Sequence, residues 1–222
     1  MKKFLVLALV SIMSLMALCS CGSGSDGDSE AAAENSAKAI TVDKDSNSVT
    51  IDCTVASSDD NKHWFIVNKD GSMAKNTVLV TDVSTDDFYN ALAEIAGEKV
   101  WNDTDTTFES NQSINDLLAE GIGHDDFAKF DVTVSWDGNT YALDEVITNA
   151  SFEGKAYDGN YDIAFAGNLD NQHKEKTGCI TCFGGCYMGI TSGYDTPMMI
   201  EYTPENLPDD AETIVKVTYT LK

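Results

Sequence analysis

The stretch VTIDCTV, residues 49–55, decides what kind of fold to expect from this chain. Val49, Ile51, Cys53 and Val55 alternate with Thr50, Asp52 and Thr54. A two-residue period places the apolar set on one face of a half-buried β-strand. Cys53 therefore points inward, where a free cysteine packs as a small apolar side chain. Upstream, Ile40-Thr41-Val42 precedes the polar run DKDSNS, 43–48, which reads as a hairpin-like turn. Segments of the same kind follow at HWFIV (63–67), TVLV (77–80), FDVTVSW (130–136), YDIAFAG (161–167) and TIVKVTYT (213–220). In the last of these Val215, Val217 and Tyr219 oppose Ile214 and Lys216, the pattern of a terminal strand tied into a sheet.

Helical signals are fewer. STDDFYNALAEIAGEK, 84–99, offers Ser84 or Thr85 as an N-cap, and Asp86 and Asp87 in the first turn. Phe88, Ala91, Leu92 and Ile95 form an apolar stripe, and Gly97 is the stop. SINDLLAE (113–120) reads as a short helix ended by Gly121, and residues 141–149 show a helical phase with Leu143, Val146 and Ile147 in the core. Alternating strands point to antiparallel or mixed pairing. The expected fold is α+β: one domain over residues 39–222, with a mostly antiparallel or mixed sheet, two or three short helices and an irregular Gly/Cys-rich segment.

Ahead of that domain, Lys2 and Lys3 precede an apolar, uncharged run from Phe4 to Leu18, the pattern of a secretory signal. The run ends Leu18-Cys19-Ser20-Cys21, which resembles a bacterial lipobox. Residues 1–20 are expected to be a lipoprotein signal peptide, and Cys21 the cysteine that takes the lipid, palmitate included. Residues 21–38, small and acidic, are expected to tether the domain to a membrane facing away from the cytoplasm. The chain contains 37 acidic residues against 14 basic ones, none of them arginine, for a formal charge of −23. Such a surface repels nucleic acid, which is bound through cationic side chains. An export signal without an arginine pair implies passage in the unfolded state, so any metal would be acquired outside.

The chemistry-bearing stretch is KTGCITCFGGCYMGITSG, 176–193. Its Cys179, Cys182 and Cys186 leave three chemistries open. Thiolates suit zinc or an iron–sulfur cluster, but such centres want four ligands and the segment supplies three. Cys53 or His173 would have to complete the set. Disulfides are the second reading, because exported proteins meet oxidising surroundings. The third is a redox-active Cys179–Cys182 pair in a thiol–disulfide oxidoreductase. His63 and His124 read as a packed histidine and a solvated loop histidine. The chain lacks a dinucleotide-binding glycine loop, a P-loop, a zincin motif and a serine nucleophile elbow.

Three blocks carry a family resemblance: HWFIVNKDGSMAKNTVLV…FYNALAEIAG, FDVTVSWDGNTYALDEVI and FAGNLDNQHKEKTGCITCFGGCYMGITS. Together they resemble the YdjY-type domain family over roughly residues 45–220. The resemblance implies an exported or lipid-linked bacterial protein of unestablished activity, often described as ferredoxin-like, with the family's cysteines at Cys179, Cys182 and Cys186. Cys53 has no counterpart there. The function expected is that of a cell-surface lipoprotein, a non-catalytic binding or structural module with a cysteine-stapled loop. The alternatives are an electron-transfer centre facing a redox or surface protein partner, and the oxidoreductase.

Overall fold

The computed structural model describes residues 39–56, 64–103, 112–157, 161–198 and 200–222. The signal peptide, Cys21, the tether, His63 and Met199 lie outside the described residues. The elements in chain order are β1 (Ile40–Asp43), β2 (Ser48–Val55), β3 (Trp64–Asn68), β4 (Thr77–Thr81), α1 (Thr85–Ala96), α2 (Ile114–Ala119), β5 (Lys129–Trp136), β6 (Asn139–Ala142) and α3 (Leu143–Val146). They continue with β7 (Ile147–Phe152), β8 (Lys155–Ala156), β9 (Ile163–Phe165), α4 (Leu169–Glu175), β10 (Cys179–Cys182), β11 (Thr191–Gly193), β12 (Glu201–Pro204) and β13 (Val215–Leu221).

The α+β expectation is overturned. The structure is mostly β, and its main sheet closes on itself as an eight-stranded barrel in the order β2-β13-β5-β9-β11-β10-β3-β4 and back to β2. β3–β4 and β10–β11 are parallel pairs, and the remaining neighbours in the ring are antiparallel. Alternation in each strand is what a barrel and an open sheet share, so the pattern along the chain does not distinguish them. Closure depends on which strand meets the last free edge.

Two strands make closure possible by dividing one edge between two partners. β2 pairs with β13 along one side, while its other side takes β1 at Ser48–Ile51 and β4 at Thr54 and Val55. β5 likewise gives one side to β13 and shares the other between β9 and β6. The β2–β4 seam is short, Thr54 opposite Val80 and Val55 opposite Leu79. The Thr81 hydroxyl reinforces it by donating to the Asp52 carbonyl at 2.7 Å.

An eight-stranded barrel encloses just enough space for its own side chains. Here Val49, Ile51, Ile66, Leu79, Phe130, Val134, Val217 and Tyr219 fill it, all essentially without solvent contact. α1 packs on β1, β2, β10 and α4, and sends Phe88 and Leu92 into the core. The Phe88 and Tyr219 rings meet edge to face with centroids 5.0 Å apart. Ser84 is the N-cap of α1, accepting from the Asp87 N–H, and Gly97 at φ 65° ends it, a left-handed conformation that glycine adopts without a Cβ penalty.

A small antiparallel sheet, β12-β7-β8, lies outside the barrel. The helical phase expected over 141–149 is a single turn, α3, from which the chain passes directly into β7. The segment expected to be irregular contributes β10 and β11 to the barrel wall.

Leu79→Ala removes a fully buried side chain at the closing seam. It is expected to cost about 3 kcal/mol, read as a lower urea midpoint at an unchanged m-value.

Candidate functional site

The candidate site begins with an irregularity in β10. Residues three apart on a regular strand point to opposite faces. Between Cys179 and Cys182 the pairing with β3 shifts register twice, on either side of Thr181. A bulge re-aims side chains in this way. The result is that both sulfurs meet, Sγ to Sγ at 2.8 Å, while both residues stay buried in the wall. Thr181 between them turns to the lumen, where its hydroxyl meets Thr191 Oγ1 at 2.8 Å and Tyr219 Oη at 2.5 Å.

Residues 183–190 connect β10 to its parallel neighbour β11. The connection is compact because glycines let backbone meet backbone. A Cβ on Gly184 would stand 2.3 Å from the Met198 carbonyl oxygen, and one on Gly193 would stand 2.2 Å from that of Phe183. The turn returns Cys186 to the neighbourhood of the pair, with Ser192 Oγ, opposite Cys182, donating to the Cys186 carbonyl at 2.7 Å. Cys186 is half-buried. The Met188 N–H donates to Cys186 Sγ at 3.3 Å, and the Gly189 N–H reaches the sulfurs of both Cys182 and Cys186.

α4 and its N-cap residue Asn168 hold this loop with three buried amides. Asn168 Nδ2 donates to the Gly189 carbonyl at 2.9 Å and to that of Cys186 at 3.4 Å. Asn171 Nδ2 donates to the Tyr187 carbonyl at 3.1 Å, and Gln172 Nε2 to that of Met188. Gln172 Oε1 in turn accepts from the N–H groups of Gly178 at 3.0 Å and Cys179 at 3.2 Å, and from the Thr177 hydroxyl at 2.9 Å. One side chain thus joins the strand that carries the first cysteine to the loop that carries the third. These amides were not among the residues singled out from the sequence. Their signal was there: 168, 171 and 172 are spaced i, i+3, i+4, one face of a helix directly ahead of the cysteines.

Burial pushes the Cys179 thiol up from the ordinary value and the Cys182 thiol well above it. Cys186 is also raised well above that value, first by its hydrogen bond with Cys182 and then by burial. All three are thiols at neutral pH, because charging any of them in this setting costs solvation. Beside them, the rings of Phe183 and Tyr202 stand 4.9 Å apart. Tyr202 Oη is buried without a hydrogen-bond partner.

The structure brings together Cys179, Cys182 and Cys186 and leaves the other two candidate ligands elsewhere. Cys53 is buried on β2, three strands round the wall through β4 and β3, and hydrogen-bonds with Thr81. His173 faces the opposite way along α4, its Nε2 2.9 Å from Asp86 Oδ1 on α1 at the surface. His124 meets Asp103 at 3.0 Å, also at the surface. Among the described residues no group of three or more His, Cys, Asp or Glu side chains is arranged to hold a metal ion. The sulfur spacing agrees: two thiolates on one tetrahedral zinc, each about 2.3 Å from it, stand roughly 3.8 Å apart. A four-ligand zinc or iron–sulfur centre therefore does not fit these residues as they are arranged.

Fold and site together define a small closed β-barrel domain with a three-thiol loop locked into its wall. The chain belongs to the YdjY domain family, whose profile matches residues 40–220. It is similar to the uncharacterized protein YdjY of Escherichia coli (strain K12), with 31% identity over 163 residues, which are 71% of this chain and 64% of that protein. The chain thus spans less than two-thirds of the length of that relative. No solved structure matches it.

Gln172→Ala would leave the Gly178 and Cys179 N–H groups and the Met188 carbonyl without this partner. Each buried group left unsatisfied costs about 1–3 kcal/mol, so a loss of about 3 kcal/mol is expected in chemical denaturation. Tyr202→Phe removes a hydroxyl that bonds to nothing and is expected to leave stability unchanged or raise it by about 1 kcal/mol.

Proposed function

We propose that this protein is an exported, lipid-anchored domain that acts as a non-catalytic binding or structural module, its cysteine loop stapled by a Cys179–Cys182 disulfide. The observation that carries this reading is the placement of the pair. Both sulfurs are in contact, withdrawn from solvent and built into a hydrogen-bonded strand. A catalytic exchange cysteine needs the reverse, an accessible sulfur with a lowered pKa. Cys179 and Cys182 have neither property.

A staple has work to do at this position. Loop 183–190 contains two consecutive glycines and leads into a three-residue strand, so little regular pairing holds it. The amides of α4 and a disulfide at the base of the loop supply the order that pairing does not. The export half of the reading rests on the apolar run from Phe4 to Leu18 and on Ser20-Cys21 after it. The lipid at Cys21 would hold the domain at the membrane, with an acidic surface selecting any protein partner by charge.

The full chain, produced with its signal in a bacterial host, tests both halves. Alkylation under denaturing conditions, before and after reduction, is expected to find Cys182 oxidised, a Cys179–Cys182 bridge among those opened by reduction, and Cys53 free. Stoichiometric iron or zinc in protein purified without oxygen would overturn the staple. Cys21→Ser is expected to shift the protein from the membrane fraction to the soluble fraction; retention at the membrane would refute the anchor.

A further inference from the structure

Three thiols meet at this site, and a staple uses two. The third, Cys186, is neither buried out of reach like the pair nor turned away from it. Ser192, opposite Cys182 on the parallel strand, donates its hydroxyl to the Cys186 carbonyl at 2.7 Å, so the turn sets Cys186 beside Cys182, whose sulfur lies 2.8 Å from that of Cys179. Cys186 is the most exposed of the three. Its sulfur accepts the Met188 N–H at 3.3 Å, with the Gly189 N–H also acting on it. Two backbone donors aimed at one sulfur favour the thiolate over the thiol.

We propose that Cys182 is shared between two alternative disulfides, Cys179–Cys182 and Cys182–Cys186, and that Cys186 is the point at which external thiols exchange with the site. The inference rests on the staple reading, since it begins from the Cys179–Cys182 bridge. The Cys186 thiolate attacks Cys182 Sγ. The Cys182–Cys186 bond forms and the Cys179–Cys182 bond breaks, with its electron pair passing to Cys179 Sγ. Cys179 takes up the proton that Cys186 released. No net oxidation or reduction occurs in this step. A low-molecular-weight thiol, as its thiolate, then attacks Cys186 Sγ from solvent. It forms a mixed disulfide there and returns the electron pair to Cys182, which takes up a proton.

The arrangement favours this order. In the reduced site the Cys182 thiol is the largest influence raising the Cys186 pKa. Once Cys182 is bridged to Cys179 that thiol is gone, while the Met188 and Gly189 donors remain. Bridging the pair therefore removes the largest influence that holds the third sulfur as a thiol, while burial still acts on it. The buried bridge, out of reach of solvent thiols, gains a route to them through Cys186.

The test uses the full chain with its lipid anchor, oxidised with glutathione disulfide and acid-quenched. Free thiols are labelled first and bridged ones after reduction, followed by chymotryptic peptide mapping. The first label is expected on both Cys179 and Cys186 in partial occupancy, and not on Cys182. Brief exposure to reduced glutathione is expected to leave a glutathione adduct on Cys186. Cys186→Ser is expected to retain the Cys179–Cys182 bridge and to be reduced by glutathione roughly tenfold more slowly than the parent, because the accessible sulfur is lost. Cys179→Ser is expected to form the Cys182–Cys186 bridge, with thermal melts of both variants confirming that they fold. If the first label falls on Cys186 alone and Cys186→Ser is reduced as fast as the parent, the exchange proposal fails while the staple stands. If no bridge forms among the three cysteines, both fail.

Discussion

The structure depends on a two-residue seam. Thr54 and Val55 at the end of β2 pair with Val80 and Leu79 of β4, and this contact turns a curled sheet into a closed barrel. Without it β2 and β4 would be free edges, each with a row of unpaired backbone groups. The seam forms because β2 is longer than the partner on that side, so β1 occupies only its first half. Closure also fixes the interior. With eight strands the lumen fits side chains and little else, and Tyr219, Phe130, Phe165 and Phe88 meet there as a connected set of rings.

The thiol site is a local departure from that regular wall. β10 must satisfy β3 on one side and β11 on the other, and it does so with two register shifts around Thr181. Those shifts bring to one side two cysteines that a regular strand would separate. The same irregularity consumes little hydrogen bonding, because Gln172 caps the N–H groups at the entry to the strand. Barrel closure, the bulge and the α4 amides thus form one chain of dependence: the wall positions β10, the bulge pairs the sulfurs, and the amides hold the loop that returns the third.

This arrangement explains why the spacing C-x2-C-x3-C suggests a ferredoxin and the geometry does not. Spacing reports which sulfurs lie near one another along the chain. A four-ligand centre also needs a donor from elsewhere, and the two on offer are committed. Cys53 faces the core on β2 and bonds to Thr81, while His173 sits on the outer side of α4 against Asp86. The amides of the same helix and its N-cap, Asn168, Asn171 and Gln172, bond to the cysteine loop instead.

Local pattern alone determined the strands around 49–55, 130–136 and 215–221, the α1 helix with its Ser84 and Gly97 ends, and the inward direction of Cys53. Each is set by alternation or capping within a few residues, where neighbouring side chains compete directly for one face. It also marked the three cysteines as one local site, since the intervening glycines allow tight folding. Only the tertiary structure decided that the sheet closes, that β10 carries its thiols through a bulge, and that Cys53 and His173 stand apart from them. Those outcomes depend on pairings between residues far apart in the chain, such as Val55 with Leu79 and Cys182 with Trp64. A strand's own alternation states which face it buries, but not which neighbour it meets.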